Sequence, residues 1–195
     1  QSLLEQLFAA NRATLISSAL IAAILAYAQR HLIPSYLVIT WLSLVLIVNF
    51  IRFAITQQHK KNPSSDIKIT NQRLTQFRVG VITSGLLWGL SSVWIYPHND
   101  LQHQMFVIFI LTGLAAGGIV SYSVDLVCAV SYTMMILTPI LIRLFLDESE
   151  MSYSMGISGI LFLVFMLISI RNINRNFLEN ITLRHEADER EDEIK

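Results

Sequence analysis

Charged side chains are scarce. Asp, Glu, Lys and Arg make up 14% of the 195 residues, against 53% hydrophobic. An ordinary soluble domain carries about 25% charge. The deficit excludes disorder, a charged coiled-coil rod and a typical soluble enzyme domain, and it points to an integral membrane protein. Cys128 is the single cysteine, which excludes an intrachain disulfide and a cysteine metal cluster. Ionisable groups are few inside the apolar runs as well, where ion pathways and proton relays need them. Only the amide Asn49, Arg143 near the end of one run and Asp125 between two runs stand out. The phosphate-binding glycine loop, the metalloprotease helix motif and the nucleophile elbow are all missing. No catalytic residue, metal or cofactor is therefore expected. The five histidines are expected in loops or the tail, which leaves no facing pair for a haem. A basic segment before the first apolar run is also missing, so no signal peptide is expected. The chain begins at Gln1 and stops inside a charged run, and it is read as part of a longer protein.

Long apolar runs dominate what is present. A bilayer core of about 30 Å needs roughly 20 apolar residues in a helix. Six stretches approach this: 13–28, 36–55, 77–96, 104–122, 126–146 and 151–170. Lipid offers no partners to backbone amides, so helices are the expected form. The runs lack the alternation of barrel strands. The fold expected is all-α: a polytopic bundle of six transmembrane helices over 13–170, with a cytoplasmic extension of the last over 171–195. Leu3, Leu4, Leu7 and Phe8 recur at helical spacing ahead of the first run. Residues 1–12 are either an interfacial helix, the wetted start of the first span or the remnant of an upstream domain.

Net charge is zero, yet it divides unevenly. Residues 179–195 hold seven acids and three bases, and the remainder holds seven acids and eleven bases. With six spans both ends lie on one side. That side holds Arg12, the group Arg52, Lys60, Lys61, Lys68, Arg73 and Arg78, and the tail group Arg171, Arg175, Arg184, Arg190 and Lys195. Arg30 and Arg143 lie on the other side. Basic residues favour the cytoplasm, so a division of twelve to two puts both termini there. The linker 57–76 is then cytoplasmic, with a turn at 60–65 and a helix resuming at 66. The outer loops 29–35, 97–103 and 147–150 are short, so a signal must enter a vestibule, come through the lipid or arise within the membrane. The expected partner is the bilayer, not nucleic acid. Beyond Ile170 neither Gly nor Pro occurs, and Ile170, Ile173 and Phe177 continue an apolar stripe. Ile181 shifts its spacing, and Asn180 and Arg184 weaken the heptad pattern. The acidic run from Asp188 to Glu193 is a solvated face.

Two groups of residues suggest sites. Gly85 and Gly89, with Gly80 and Ser84 before them, form one small-residue pattern. Gly113 and Gly117, with Ala115, Ala116 and Gly118, form another. Small residues let membrane helices approach closely, so packing within the bundle or at a dimer seam is favoured over a ligand niche. Trp94, Tyr96, His98, Asp100, His103 and Gln104 cluster where the third and fourth spans meet. They form either a polar ligand vestibule, a metal or proton-switch site, or only the aromatic belt of a membrane interface. The vestibule, extended to Trp88, is the candidate ligand site, and no metal is assigned. Arg143 either snorkels or pairs with Asp147. Pro139 is expected to kink its span.

Three stretches together resemble a known architecture. They are Phe77-Arg78-Val79-Gly80 through Ser84-Gly85-Leu86-Leu87-Trp88-Gly89-Leu90, His103-Gln104-Met105-Phe106 through Leu114-Ala115-Ala116-Gly117-Gly118, and Arg171 through Leu183-Arg184-His185-Glu186. From about residue 37 onward the chain resembles the six-span membrane input region of bacterial sensor histidine kinases and of GGDEF and EAL proteins that make or degrade cyclic di-GMP. The resemblance implies a bacterial cytoplasmic membrane, a sensor role in a two-component or cyclic di-GMP pathway and a small or lipophilic ligand. It also implies a homodimer through the bundle and the last helix, with Trp88 and His103-Gln104 at typical motif positions. No kinase, PAS or GGDEF module lies within these residues. Two other readings stay open: a small-solute transporter, weakened by the missing charges and missing repeated halves, and a passive membrane anchor of an adenylyl cyclase.

Overall fold

A computed structural model describes residues 3–61, 67–98, 100–147 and 149–194, with side-chain surroundings over 12–58, 68–98, 100–147 and 149–180. The described residues form α1 (Leu3–Gln29), α2 (Ser35–Lys61), α3 (Ile67–Trp94), α4 (Leu101–Tyr122), α5 (Leu126–Leu146) and α6 (Glu150–Ile194), and no strand occurs among them. The all-α expectation is met. Residues 3–12 run into α1 without a break, and helix resumes at Ile67 after a segment that includes most of the expected turn and lies outside the described residues. Lys60 and Lys61, expected in that turn, belong to the last turn of α2.

Helices this long reach across a bilayer. At about 1.5 Å per residue, the 27 residues of α1 or α2 exceed its hydrocarbon thickness. Five of the helices, all but α3, are long and apolar enough to cross a membrane. α3 falls short because Lys68, Arg73 and Arg78 open it and Thr, Ser and Gly residues dilute the rest. Its three serines, Ser84, Ser91 and Ser92, are buried. Buried Ser91 and Ser92 donate to the carbonyls of Trp88 and Gly89, three residues back.

The core lies where α3 and α5 meet, between α2 and α4. Phe77, Val81, Ser84 and Trp88 recur every three or four residues on one face of α3, the spacing of a helical stripe. Cys128, Tyr132, Ile136 and Ile140 do the same on α5. The outward faces are apolar too. Phe50, Phe109 and Val120 are each more than 70% exposed. A helix that is apolar all round belongs in a core or in lipid.

The helices alternate in direction. One end of the bundle gathers the α1–α2, α3–α4 and α5–α6 connections, where Gln29 donates to the His103 carbonyl and the Arg143 guanidinium lies 5.1 Å from the centre of the Tyr96 ring. Arg143 thus rests on an aromatic face, and Asp147 accepts instead from the Ser152 hydroxyl at 2.6 Å. The opposite end gathers Arg12 against Gln57, Arg78 against Asp125, and Asn174 against the α4–α5 turn.

One base lies inside the bundle, and one expectation requires correction. Arg52, grouped with the linker bases, is only 4% exposed. Its stem lies along Gly80, where a Cβ would meet Arg52 Cγ at 3.0 Å, and its guanidinium donates to the Tyr122 hydroxyl at 2.8 Å. The rings of Phe77 and Tyr122 lie within 6 Å of it, near enough for cation–π attraction. An aromatic pocket and a glycine thus bring one base inside. His103, expected in a loop, sits in the first turn of α4, because Asp100 caps that helix by accepting from the His103 backbone N–H at 3.1 Å.

Candidate functional site

The connection between α3 and α4 is shaped by its own polar groups. Gln104 Nε2 donates to the carbonyls of Pro97 and His98 at 2.8 and 3.0 Å, which folds the connection back over α4. Asp100 Oδ1 faces both the backbone nitrogen and the Nδ1 of His103, at 3.1 and 3.0 Å. The His103 imidazole beside it, with the hydrogen bond from the His103 backbone, holds the Asp100 carboxyl below its usual range. Gln29, at the end of α1, is fully buried and donates to the His103 carbonyl.

This frame leaves a cavity of about 530 Å³ between the α3–α4 connection and the α1–α2 turn. Trp94, Tyr96, His98 and Asp100 line it together, facing Leu32, Pro34 and Leu37. Small-molecule pockets commonly span about 300–1,000 Å³ with apolar walls and a few polar groups. Here the walls are aromatic and aliphatic, and the polar groups are an imidazole and a carboxylate. The arrangement suits an amphiphilic molecule.

Three of the sequence candidates lie elsewhere. His103 and Gln104 do not line the cavity; they hold its wall. Trp88 is fully buried in the bundle, edge-on to Trp41 with ring centres 5.2 Å apart. Its Nε1 donates to Ser18 Oγ at 3.1 Å, and Asn49 Nδ2 donates to the same hydroxyl at 3.2 Å. Among the described residues, no three of His, Cys, Asp and Glu group to hold a metal.

The glycines divide by surroundings. A Cβ at Gly89 would run into the Met135 carbonyl oxygen, and one at Gly85 would meet Met135 and Tyr132 at 3.2 Å. One at Gly118 would meet the Tyr132 ring at 2.5 Å. At Gly113 and Gly117 it would meet nothing within 4 Å. Three of the five thus serve close packing inside the bundle, and two face open space.

A second polar centre sits at the opposite end. Arg78 Nε and Nη2 donate to the two carboxylate oxygens of Asp125 at 2.7 and 2.9 Å. Burial pushes the Asp125 carboxyl up, but the hydrogen bonds from Arg78 and from the Cys128 thiol outweigh it and hold it below its usual range. Asn174, on the part of α6 beyond the last apolar run, donates to the carbonyls of Ser123 and Val124 at 2.7 and 3.2 Å. No periodic pattern of residues marks this centre. Its one hint is Asp125, an acid set between two apolar runs.

The chain matches no protein-family model, no curated protein and no solved structure.

Proposed function

We propose that the chain is a membrane-embedded signal-input domain with six spans and both ends in the cytoplasm. The observation that carries this reading is Asn174. It ties the 45-residue helix α6 to the α4–α5 turn, and the adjacent Asp125 is gripped by α3. A change in packing among α3, α4 and α5 therefore bears directly on the helix that leaves the bundle. Two packings that differ in this tie would present α6 differently to whatever follows it. A ligand shifts such a pair of states only by its unequal affinity for them. The cavity around Trp94, Tyr96, His98 and Asp100 is the entry for that ligand in this reading.

The sixth span is α3. It runs antiparallel to α2: Trp41, near the start of α2, donates to the Leu87 carbonyl late in α3, while Arg52, late in α2, lies along Gly80. If α2 crosses the bilayer, so does α3. No charged residue occurs from Val79 to Trp94. The twelve-to-two division of bases supports cytoplasmic ends. The resemblance to bacterial sensor regions supports a bacterial inner membrane, a homodimer and a histidine kinase or cyclic di-GMP output.

The test is a fusion of the chain through α6 to a diguanylate cyclase module, expressed in a bacterium, with cyclic di-GMP as the readout. Asn174→Ala and Arg78→Gln are expected to change the output several-fold at equal membrane abundance. Output identical to that of an unrelated membrane anchor in every variant would overturn the sensor reading.

A further inference from the structure

Between α1 and α4 lies a second cleft, of about 220 Å³, whose wall is rich in hydroxyls. Thr14, Ser17 and Ser18 face it from α1, and Ser121 from α4. Tyr132 reaches it from α5 by passing between two glycines. Its ring carbons would lie 2.5 Å from a Cβ at Gly118 on one side and 3.2 Å from a Cβ at Gly85 on the other. Glycine at both positions is what admits the ring. Tyr132 is 3% exposed and lines the cleft, and its hydroxyl makes no hydrogen bond to any described residue. The hydroxyl is not among the sealed, partnerless polar atoms of the bundle, so it stays open to a partner that enters the cleft.

We infer that this cleft binds the head of an uncharged, lipid-soluble carbonyl compound of the quinone class. No charged residue lines the cleft, so a charged head would be stripped of water without a counter-ion. The Thr14 hydroxyl donates to Ser121 and the Ser121 hydroxyl to the Gly117 carbonyl, so a carbonyl head, which carries no charge, takes the Tyr132 hydroxyl hydrogen. The volume lies below the range of drug-sized pockets and suits one substituted ring. The mouth is formed by Gly113 and Gly117. Both are exposed, and a side chain there would meet nothing within 4 Å, so an isoprenoid tail passes out along α4 into the acyl chains. Ser18 then links the ligand to the core, since its hydroxyl accepts from Trp88 and Asn49. The inference rests on the membrane-embedded reading and on no particular output.

The test uses the full chain in phosphatidylcholine nanodiscs, titrated with ubiquinone-1 while tryptophan emission is recorded. Trp88, one hydrogen bond from the cleft, is the reporter. Saturable quenching is expected, with Tyr132→Phe weakening the apparent affinity up to about tenfold. Gly117→Leu is expected to abolish the saturable part by filling the mouth of the cleft, while leaving helicity and melting unchanged, because a Cβ there meets nothing within 4 Å. Linear quenching, equal in the wild type and in Gly117→Leu, would report partition into lipid and overturn the site. Displacement of the quinone by a fatty acid at equal concentration would overturn the uncharged class. Failure of the chain to enter nanodiscs would overturn the membrane reading and this inference with it, whereas insertion without saturable quenching overturns the inference alone.

Discussion

Arg78 on α3 holds Asp125, 47 residues further along the chain, through two parallel hydrogen bonds of 2.7 and 2.9 Å. The carboxylate is 6% exposed and the guanidinium 35%, so the acid depends on its partner more than the base does. Arg78→Ala strips a buried carboxylate of its main donor. We expect a loss of about 2 kcal/mol, the scale of hydrogen bonds to a charged group, read as a lower thermal midpoint in detergent. Arg78→Lys, which cannot form the paired contact, is expected to restore only part.

The same pair sets an acid limit. Because the folded Asp125 carboxyl sits below its ordinary range, its contribution is complete above that range and is lost as pH falls through the depressed folded value. Stability is expected to be flat from neutral pH down to about pH 5 and to decline below about pH 4. Asp125→Asn is expected to be less stable at neutral pH and to flatten that decline. An unchanged acid slope in Asp125→Asn would show that another carboxylate governs it.

The glycines offer an internal contrast. Gly89→Ala places a Cβ against the Met135 carbonyl oxygen, on rigid backbone, and forces α3 from α5. Overpacking of this kind costs about 1–3 kcal/mol. Gly113→Ala and Gly117→Ala meet no neighbour and are expected to melt within error of the wild type. A large loss at Gly113 or Gly117 would point to a second copy packed on α4.

Gln104→Ala removes both donors that fold residues 97–98 over α4. Faster amide exchange is expected across the α3–α4 connection, with little change in the α3–α5 core. Binding of any amphiphile at the cavity beside Trp94 is expected to weaken, since its wall is no longer held.

Asn174→Ala severs the tie between α6 and the α4–α5 turn. Two hydrogen bonds are lost, on the order of 1–2 kcal/mol in all. Exchange is expected to rise over residues 171–178 and to leave the apolar part of α6 protected. Equal protection in both proteins would remove Asn174 from the coupling route.

The vestibule residues Trp94, Tyr96, His98 and Asp100 were legible because they are close in sequence and mark a break between two apolar runs. Trp88 was misplaced with them, since one helical stretch separates it from the mouth and only packing against Trp41 and Ser18 decides its depth. Gln29, Arg52, Asn174 and Tyr132 left no signal of their own. Each acquires its role from a partner dozens of residues away: His103, Tyr122, the α4–α5 turn, or a pair of glycines.

Composition and run length alone determined that this chain is helical and suited to lipid, because unpaired backbone groups and unpaired charges are too costly in hydrocarbon to allow another answer. Each apolar run falls within or largely within one helix, although α1 and α3 begin ten residues ahead of the runs 13–28 and 77–96. Only the tertiary structure decided which small residues are seams and which are openings, and which polar side chains are paired. A close approach between two helices is a property of both surfaces at once, and no single stretch of sequence contains it.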